Sequence, residues 1–322
     1  MALSDMKVFN EYLKQTTIET LAQDVEKFNA SSAGAIRLTT QGIDGDFLQE
    51  SFWAGLHGAQ RRVDRYAANA PQASTPLSQK QYDAVKIAGG FGPIIWEPSQ
   101  LSWVQKNPEE ALEVISRNLS EAIMSDQLNT AIAALVAAIG NQSSATNDVS
   151  ATAGISYVAI NNAHALFGDA SQRLVAQVMT GAMYHKLVGQ NLANAERLFQ
   201  SSGVQVVDIL GKAVIVTDAA ALYEAGTPNK EKVLSLADGA AVVMDGSDLI
   251  TNIETSNGNQ RISTTMQADY TFGLGLKGFT WDTANGGKSP TNAELSTGSN
   301  WDLVANSIKA SAGVLTIGDA TK

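Results

Sequence analysis

NPEEALEVISRNLSEAIMSDQLNTAIAALVAAIG, residues 107–140, is the stretch on which the reading of the fold turns. Asn107 is a good N-cap residue, and Pro108 suits the first helical position, where a missing N–H costs nothing. Glu109 and Glu110 then oppose the positive end of the helix. Leu112, Ile115, Leu119, Ile123, Leu128, Ile132, Leu135 and Ile139 form a nearly continuous apolar face, and Gly140 supplies a stop signal. The spacing predicts a single helix over 108–139, roughly 48 Å long at 1.5 Å per residue and far beyond the average of about 12 residues.

Upstream, residues 3–30 read as a second helix, with Leu21, Val25 and Phe28 on one stripe that Tyr12 and Leu13 continue. NASSAGA (29–35) breaks it, GIDGDF (42–47) reads as a turn, and the aromatic segment FLQESFW follows. Residues 57–97 are different: RRVDRY and YDAVKIAGGFGPIIWEP read as strand-like arms around a Pro/Ser/Gln tip, APQASTPLSQKQ. So little apolar content cannot build a core of its own, and an excursion of this length is generally functional when ordered.

Downstream, NQSSATNDVSATAG (141–154) reads as a flexible polar linker, and an alternating pattern follows. A helix is expected near 156–167, a strand at RLVAQVM, a helix at GAMYHKLVGQNL, and strands at VQVVDIL and AVIVTD. A helix is expected at AAALYEAG, and strands at KVLSLA and AAVVMDG. That is an α/β or α+β lobe over about 155–245. LITNIET, a polar hairpin SNGNQ and RISTTMQADYTFGLGLKGFTWD then read as long strands, and the tail from 283 carries one short helix signal at SPTNAEL, with Ser289 as cap and Pro290 as start.

Charged residues make up only 17% of the 322, against roughly 25% in ordinary soluble proteins, which suggests that much of the surface meets other protein. A formal net charge of −10 with no long basic run argues against a free DNA- or RNA-binding protein. The absence of cysteine excludes disulfides, zinc–thiolate sites and thiol nucleophiles. MALSDMKVFNEYLKQ lacks the pattern of a signal peptide, and the longest apolar run, AIAALVAAIG, is too short for a bilayer that needs about 20 residues. A soluble, cytoplasmic, non-redox protein with no membrane partner is expected.

Gly273, Gly275 and Gly278 stand in the offsets of the G-x-G-x-x-G dinucleotide signature. That signature needs a helix after the glycines to hold the pyrophosphate, whereas here the alternation of Tyr270, Phe272, Leu274 and Leu276 continues through them as a strand. The spacing is therefore expected to be accidental, with glycine on one strand face permitting close packing. His57, His164 and His185 fall in separate elements, so no histidine metal site is expected. Asp44 and Asp46 belong to a turn, and neither a G-x-S-x-G elbow nor a Walker sequence is present. No catalytic residue and no cofactor are expected. Arg61, Arg62 and Arg65, with Asp64 among them, lie at the base of the excursion; they fit either a solvated strand edge or inter-subunit ion pairing. Trp53, Trp96, Trp103, Trp281 and Trp301 are core candidates, and Trp96, beside Pro98, also suits an interface anchor.

The succession of arm, projecting excursion, very long helix, compact lobe and returning strand pair resembles the tailed-bacteriophage major capsid protein with the Hong Kong 97-like fold. Individual stretches are similar to one subfamily of such coat proteins: RRVDRY, VKIAGGFGPI, the 107–139 helix, LFGDASQRLVAQVMTGAMYHKL, GKAVIVTDAAAL, YTFGLGLKGFTWD and PTNAELSTGSNWDLVANSIK. The resemblance implies an α+β fold with an N-terminal arm (1–56), an E-loop (57–97), a P-domain (98–154 and 246–285) with the long helix as its spine, an α/β A-domain (155–245) and a C-terminal tail (286–322). It implies a homo-oligomer of hexamers and pentamers in a shell around double-stranded DNA, bound without sequence specificity. A portal, a decoration or cement protein and, since residues 1–56 hold no scaffolding region, a separate scaffolding protein would be its partners. Subunit contacts would fall on Arg61, Arg62, Asp64, Arg65, Lys80, Lys86 and Trp96, with no Lys–Asn crosslink expected from Lys80 or Lys86. Its place would be the virion capsid, assembled in the bacterial host cytoplasm. An encapsulin-type compartment shares the implied fold; an α/β metabolic enzyme would account for the lobe but not for the excursion or the long helix.

Overall fold

The computed structural model describes residues 3–39, 45–53, 60–68, 71, 74, 79–97, 100, 102, 104, 106–195, 212–246, 248–257 and 262–322. Two helices dominate the first half: α1 (Leu3–Ser31) and α2 (Pro108–Gly140), which pack against each other. α2 forms where its sequence dictates, although Asn107 makes no side-chain capping bond and Pro108 alone sets the start. Gly140 is its last residue rather than a left-handed cap, and Asn141 closes it in the ordinary right-handed conformation. Leu119, Ile123, Ile132, Leu135 and Ile139 are buried along its inner face. The helix is long and apolar enough to cross a bilayer, but 56% of its most apolar stretch is buried inside the chain.

Two six-stranded sheets flank this helix. The first runs β1 (Ile36–Thr39), β9 (Ala241–Asp245), β11 (Ser263–Leu276), β3 (Gln79–Trp96) and β2 (Phe47–Trp53), with β10 (Ile250–Ser256) also paired to β11. β1 is parallel to β9 and the other pairs are antiparallel. β1 is an edge, and the Asn29 amide closes it by bonding both the carbonyl and the N–H of Leu38, at 2.7 and 2.9 Å. The second sheet runs β4 (Thr146–Asp148), β14 (Gly313–Asp319), β8 (Lys230–Ala237), β5 (Leu174–Met179) and β6 (Ala213–Val216), with β7 (Tyr223–Glu224) on β8. Helices α3 (Tyr157–Ala165) and α4 (Gly181–Ala195) belong to this lobe, as expected. A small ribbon of β12 (Phe279–Trp281) and β13 (Trp301–Leu303) stacks Trp281 edge-on against Trp301, ring centres 4.8 Å apart.

Several expectations need correction. Residues 141–154 are no flexible linker: Thr146–Asp148 is a strand held in parallel against β14. AAALYEAG forms a single 3-10 turn, Ala220–Leu222, and then β7 rather than a helix. The short helix of the tail spans Asn292–Leu295 and is capped by Thr291, not Ser289, through a reciprocal capping box with Glu294. The strand Ala241–Asp245 joins the first sheet rather than the lobe, and the lobe instead takes β14 from the end of the chain. RRVDRY is irregular and then bent, with no strand pairing among the described residues, while β3 is built into the first sheet along its length. The strand expected at VQVVDIL, His57, Asp44, most of the tip of the excursion and most of the SNGNQ hairpin lie outside the described residues, as do the side chains of Trp53 and Trp103.

The glycines of the nucleotide-like signature are strand and turn residues. Gly275 lies under the Tyr82 ring, where a Cβ would collide with the phenol oxygen, and Gly278 turns the chain into β12 with φ +80°. The close approach is to Tyr82 of β3, on the sheet face carrying Ala84 and Met244. The face turned towards α2 is instead that of Tyr270, whose hydroxyl donates to Asp126 of the helix at 2.5 Å.

Candidate functional site

The surfaces free to act are set by what the two sheets leave uncovered. Residues 60–64 have no regular structure and 65–67 bend, all exposed, so the segment stands on the surface without joining either core. Arg61, Arg62 and Arg65 lie on it, and none of the three has an ion-pair partner among the described residues. Asp64 is spent locally: its carboxylate accepts the backbone N–H of Tyr66 at 2.9 Å and sets the bend. Val63 is 65% exposed and Tyr66 93%, so two apolar groups are held in water beside three cations.

The other expected interface residues are placed differently. Lys80 donates to the carbonyl of Val304 at 2.7 Å, and Lys86 lies 3.6 Å from the Asp248 carboxylate. Trp96 is buried in the main core, so its ring anchors this chain internally. The structure thus gathers Arg61, Arg62, Asp64 and Arg65 on one arm and commits Lys80, Lys86 and Trp96 to contacts within the chain.

Two further surfaces carried no signal in the sequence reading. β3 is paired with β2 only through Val85, so from Ile87 to Trp96 the edge opposite β11 has no strand partner among the described residues. A bulge at Gly92–Pro93 kinks it there, and Ile94 and Ile95 stay 50% and 62% exposed. A groove of about 680 Å³ lies on the opposite side of the first sheet from α2, floored by Leu48, Tyr82, Val242 and Met244 and rimmed by Arg37, Asp238 and Lys277. Arg37 and Asp238 neutralise each other at 2.6 Å, and no cluster of three or more His, Asp or Glu side chains able to hold a metal occurs among the described residues. The most strongly perturbed groups, His164 and Tyr270, are buried or half-buried and serve packing: His164 Nε2 pairs with Ser235 Oγ at 2.9 Å, Tyr270 with Asp126.

Among the described residues, an exposed arm and a bare strand edge on a frame of two long helices and two sheets are surfaces suited to meeting other subunits. The chain belongs to the Gp13-like family of major capsid proteins, whose family model matches residues 5–315. Among solved structures it is similar to a chain of the cyanophage Pam1 capsid asymmetric unit, with 13% identity, 88% of each chain covered and a TM-score of 0.51. It is also similar to a chain of the acidic stable capsid of Helicobacter pylori bacteriophage KHP30, at 8% identity over 90% of this chain and 89% of that one, TM-score 0.47. A chain from Mycobacterium phage Che8 matches at 13% identity over 90% of each chain, TM-score 0.45. At these identities the likeness is one of fold. No curated protein sequence matches. The chain is therefore a structural major capsid protein of a bacteriophage with a mixed helix-and-sheet capsid fold, as the resemblance implied, and the encapsulin-type alternative is not favoured.

Proposed function

We propose that this protein builds an icosahedral shell of hexamers and pentamers around double-stranded DNA, without catalytic activity, and that it does so in the host cytoplasm before becoming part of the virion. In this reading α1 and β1 belong to the N-terminal arm (1–56), residues 57–97 are the E-loop, and α2 is the spine of the P-domain (98–154 and 246–285). The second sheet forms the A-domain (155–245, apart from β9), completed by strands from outside that range, including one from the tail (286–322). Arg61, Arg62, Asp64 and Arg65 contact a neighbouring subunit. A separate scaffolding protein, a portal and a decoration protein are the further partners.

The observation that carries this reading is the arm: three guanidiniums and two exposed apolar side chains without a partner among the described residues, in a protein of a capsid family. Arginine beside an aromatic is a favoured interface composition. Negative-stain microscopy of the expressed protein, alone and with a co-expressed scaffold, tests it. Rings of five and six or closed shells are expected; a monodisperse monomer under all these conditions would overturn the reading.

A further inference from the structure

We propose that Asn285 is a latent modification site, where the chain's own backbone can convert an amide into an acid, and that Asp282 and the packing of Gly286 under Trp281 hold it unreacted. Asn followed by Gly occurs at 257–258 and at 285–286. In such a pair the Gly nitrogen, having passed its proton to hydroxide, attacks the Asn Cγ, because no Cβ shields it. The new C–N bond closes a cyclic imide, and ammonia leaves with a proton taken from water. A further water opens the imide to Asp or to its β-linked isomer, so that ammonia is lost, water is gained and a carboxylate replaces the amide. Packing, not this chemistry, accounts for the glycine: a Cβ on Gly286 would overlap the Trp281 ring, and Gly286 is buried although Asn285 is exposed.

Within the single helical turn Thr283–Gly286 the groups that this reaction needs are already committed. The Gly286 N–H donates to the Asp282 carbonyl at 2.8 Å. Asn285 Nδ2 donates to the Asp282 carboxylate at 2.5 Å, and the Asn285 backbone N–H donates to its other oxygen at 3.3 Å. A carboxylate only accepts, so the contact fixes the amide nitrogen and with it the rotation of the side chain. The Asn285 amide first, and then the Ala284 N–H, hold Asp282 below the usual carboxylate range, which keeps it an acceptor at neutral and alkaline pH. Asp282 is tied to the ribbon in turn, its N–H donating to the Asn300 carbonyl at 2.9 Å, while Trp281 Nε1 donates to the Gly287 carbonyl at 2.9 Å. The pair therefore reacts only when the ribbon of β12 and β13 opens locally. Asn257 is the contrast: it is exposed just beyond β10, and its carboxamide makes no hydrogen bond among the described residues. Reaction at Asn285 sets a second carboxylate against Asp282 and turns a hydrogen bond into a like-charge contact, so each opening that leads to conversion loosens the ribbon irreversibly.

The experiment is peptide mapping by mass spectrometry of the full chain, held at mildly alkaline pH and sampled over time. In denaturant, Asn257 and Asn285 should convert at similar rates, which calibrates the intrinsic chemistry. In the folded chain Asn285 should convert more slowly than Asn257 by about tenfold or more, because only the opened ribbon reacts. Asp282→Asn keeps a capping oxygen but loses the carboxylate, and should speed conversion at Asn285 by about threefold or more while the near-ultraviolet circular dichroism of the Trp281–Trp301 pair persists. Where that variant loses the tryptophan signal, the unsubstituted chain decides: conversion at Asn285 should rise with denaturant in step with loss of the signal. Equal rates at the two sites in the folded chain, or conversion at Asn285 that denaturant does not accelerate, would overturn the proposal. An unchanged rate in Asp282→Asn with the signal intact would overturn the part given to Asp282.

Discussion

Tyr270 joins the helix to the sheet. Its ring stacks between Phe91 and Phe272, with centres 5.6 and 6.2 Å away, and its hydroxyl reaches Asp126. Burial first, and then the Asp126 carboxylate, hold the phenol well above its ordinary range, so it remains a donor at every working pH. Tyr270→Phe keeps the stack and removes the bond, and should cost roughly 1 kcal/mol in denaturant titrations. His164 supplies a pH dependence. Burial, and secondly the Lys212 ammonium, push it from 6.5 down to about 4. The unfolded chain therefore takes up this proton at higher pH than the folded one does. The stabilisation is fully present above about pH 6.5 and is lost as pH falls towards 4, by about 3 kcal/mol at most. Carboxylates titrate near the lower end of that window, so the measurement is a difference: His164→Gln should show a shallower fall of the unfolding midpoint between pH 6.5 and 4.5. Equal slopes in both proteins would remove His164 as the source.

At the scale of elements, what could be read in the sequence was what is locally determined. α2 declared itself because proline, glutamates and a 3.6-residue apolar period all act within the helix. β4 could not be read, because Thr-Asn-Asp has no strand preference of its own; pairing with Leu315–Ile317, far along the chain, makes it a strand. β7 was missed for a related reason: Tyr223–Glu224 is extended only because it lies along Glu231–Lys230. The arginines of the arm were visible as a charge cluster in the sequence. Trp96 stood in the sequence as either a core residue or an interface anchor, and the packing places its ring in the core. The apolar face of α2 also orders the cost of substitutions along it. Leu135 is wholly buried, and Leu135→Ala should cost about 2–5 kcal/mol as a cavity opens in a close-packed site. Leu128 is only partly buried, and Leu128→Ala should cost clearly less by the same thermal or denaturant unfolding.

For the whole molecule, the decisive feature is that one core serves both sheets. Leu234, Leu236 and Leu315 of the second sheet belong to the same buried cluster as Phe272 and Leu274 of the first, and Leu135 of α2 is part of it. The C-terminal strand locks this arrangement: β14 pairs with β8 from Gly313↔Leu236 to Asp319↔Lys230, and is the strand against which β4 lies. Deleting residues 313–322 would strip β4 of that partner, leave a bare edge on β8 and uncover Val314's and Leu315's buried neighbours. The Trp281–Trp301 pair, in the ribbon beside the first sheet, reports at a distance from that cut. Because the core is continuous, the truncated chain should lose protease resistance in the lobe and the near-ultraviolet circular dichroism of the tryptophan pair together. Deleting Lys322 alone should leave both intact. A truncated chain that kept the tryptophan signal while its lobe was digested would show two independently stable units, and would break the link that the shared core makes between the two sheets.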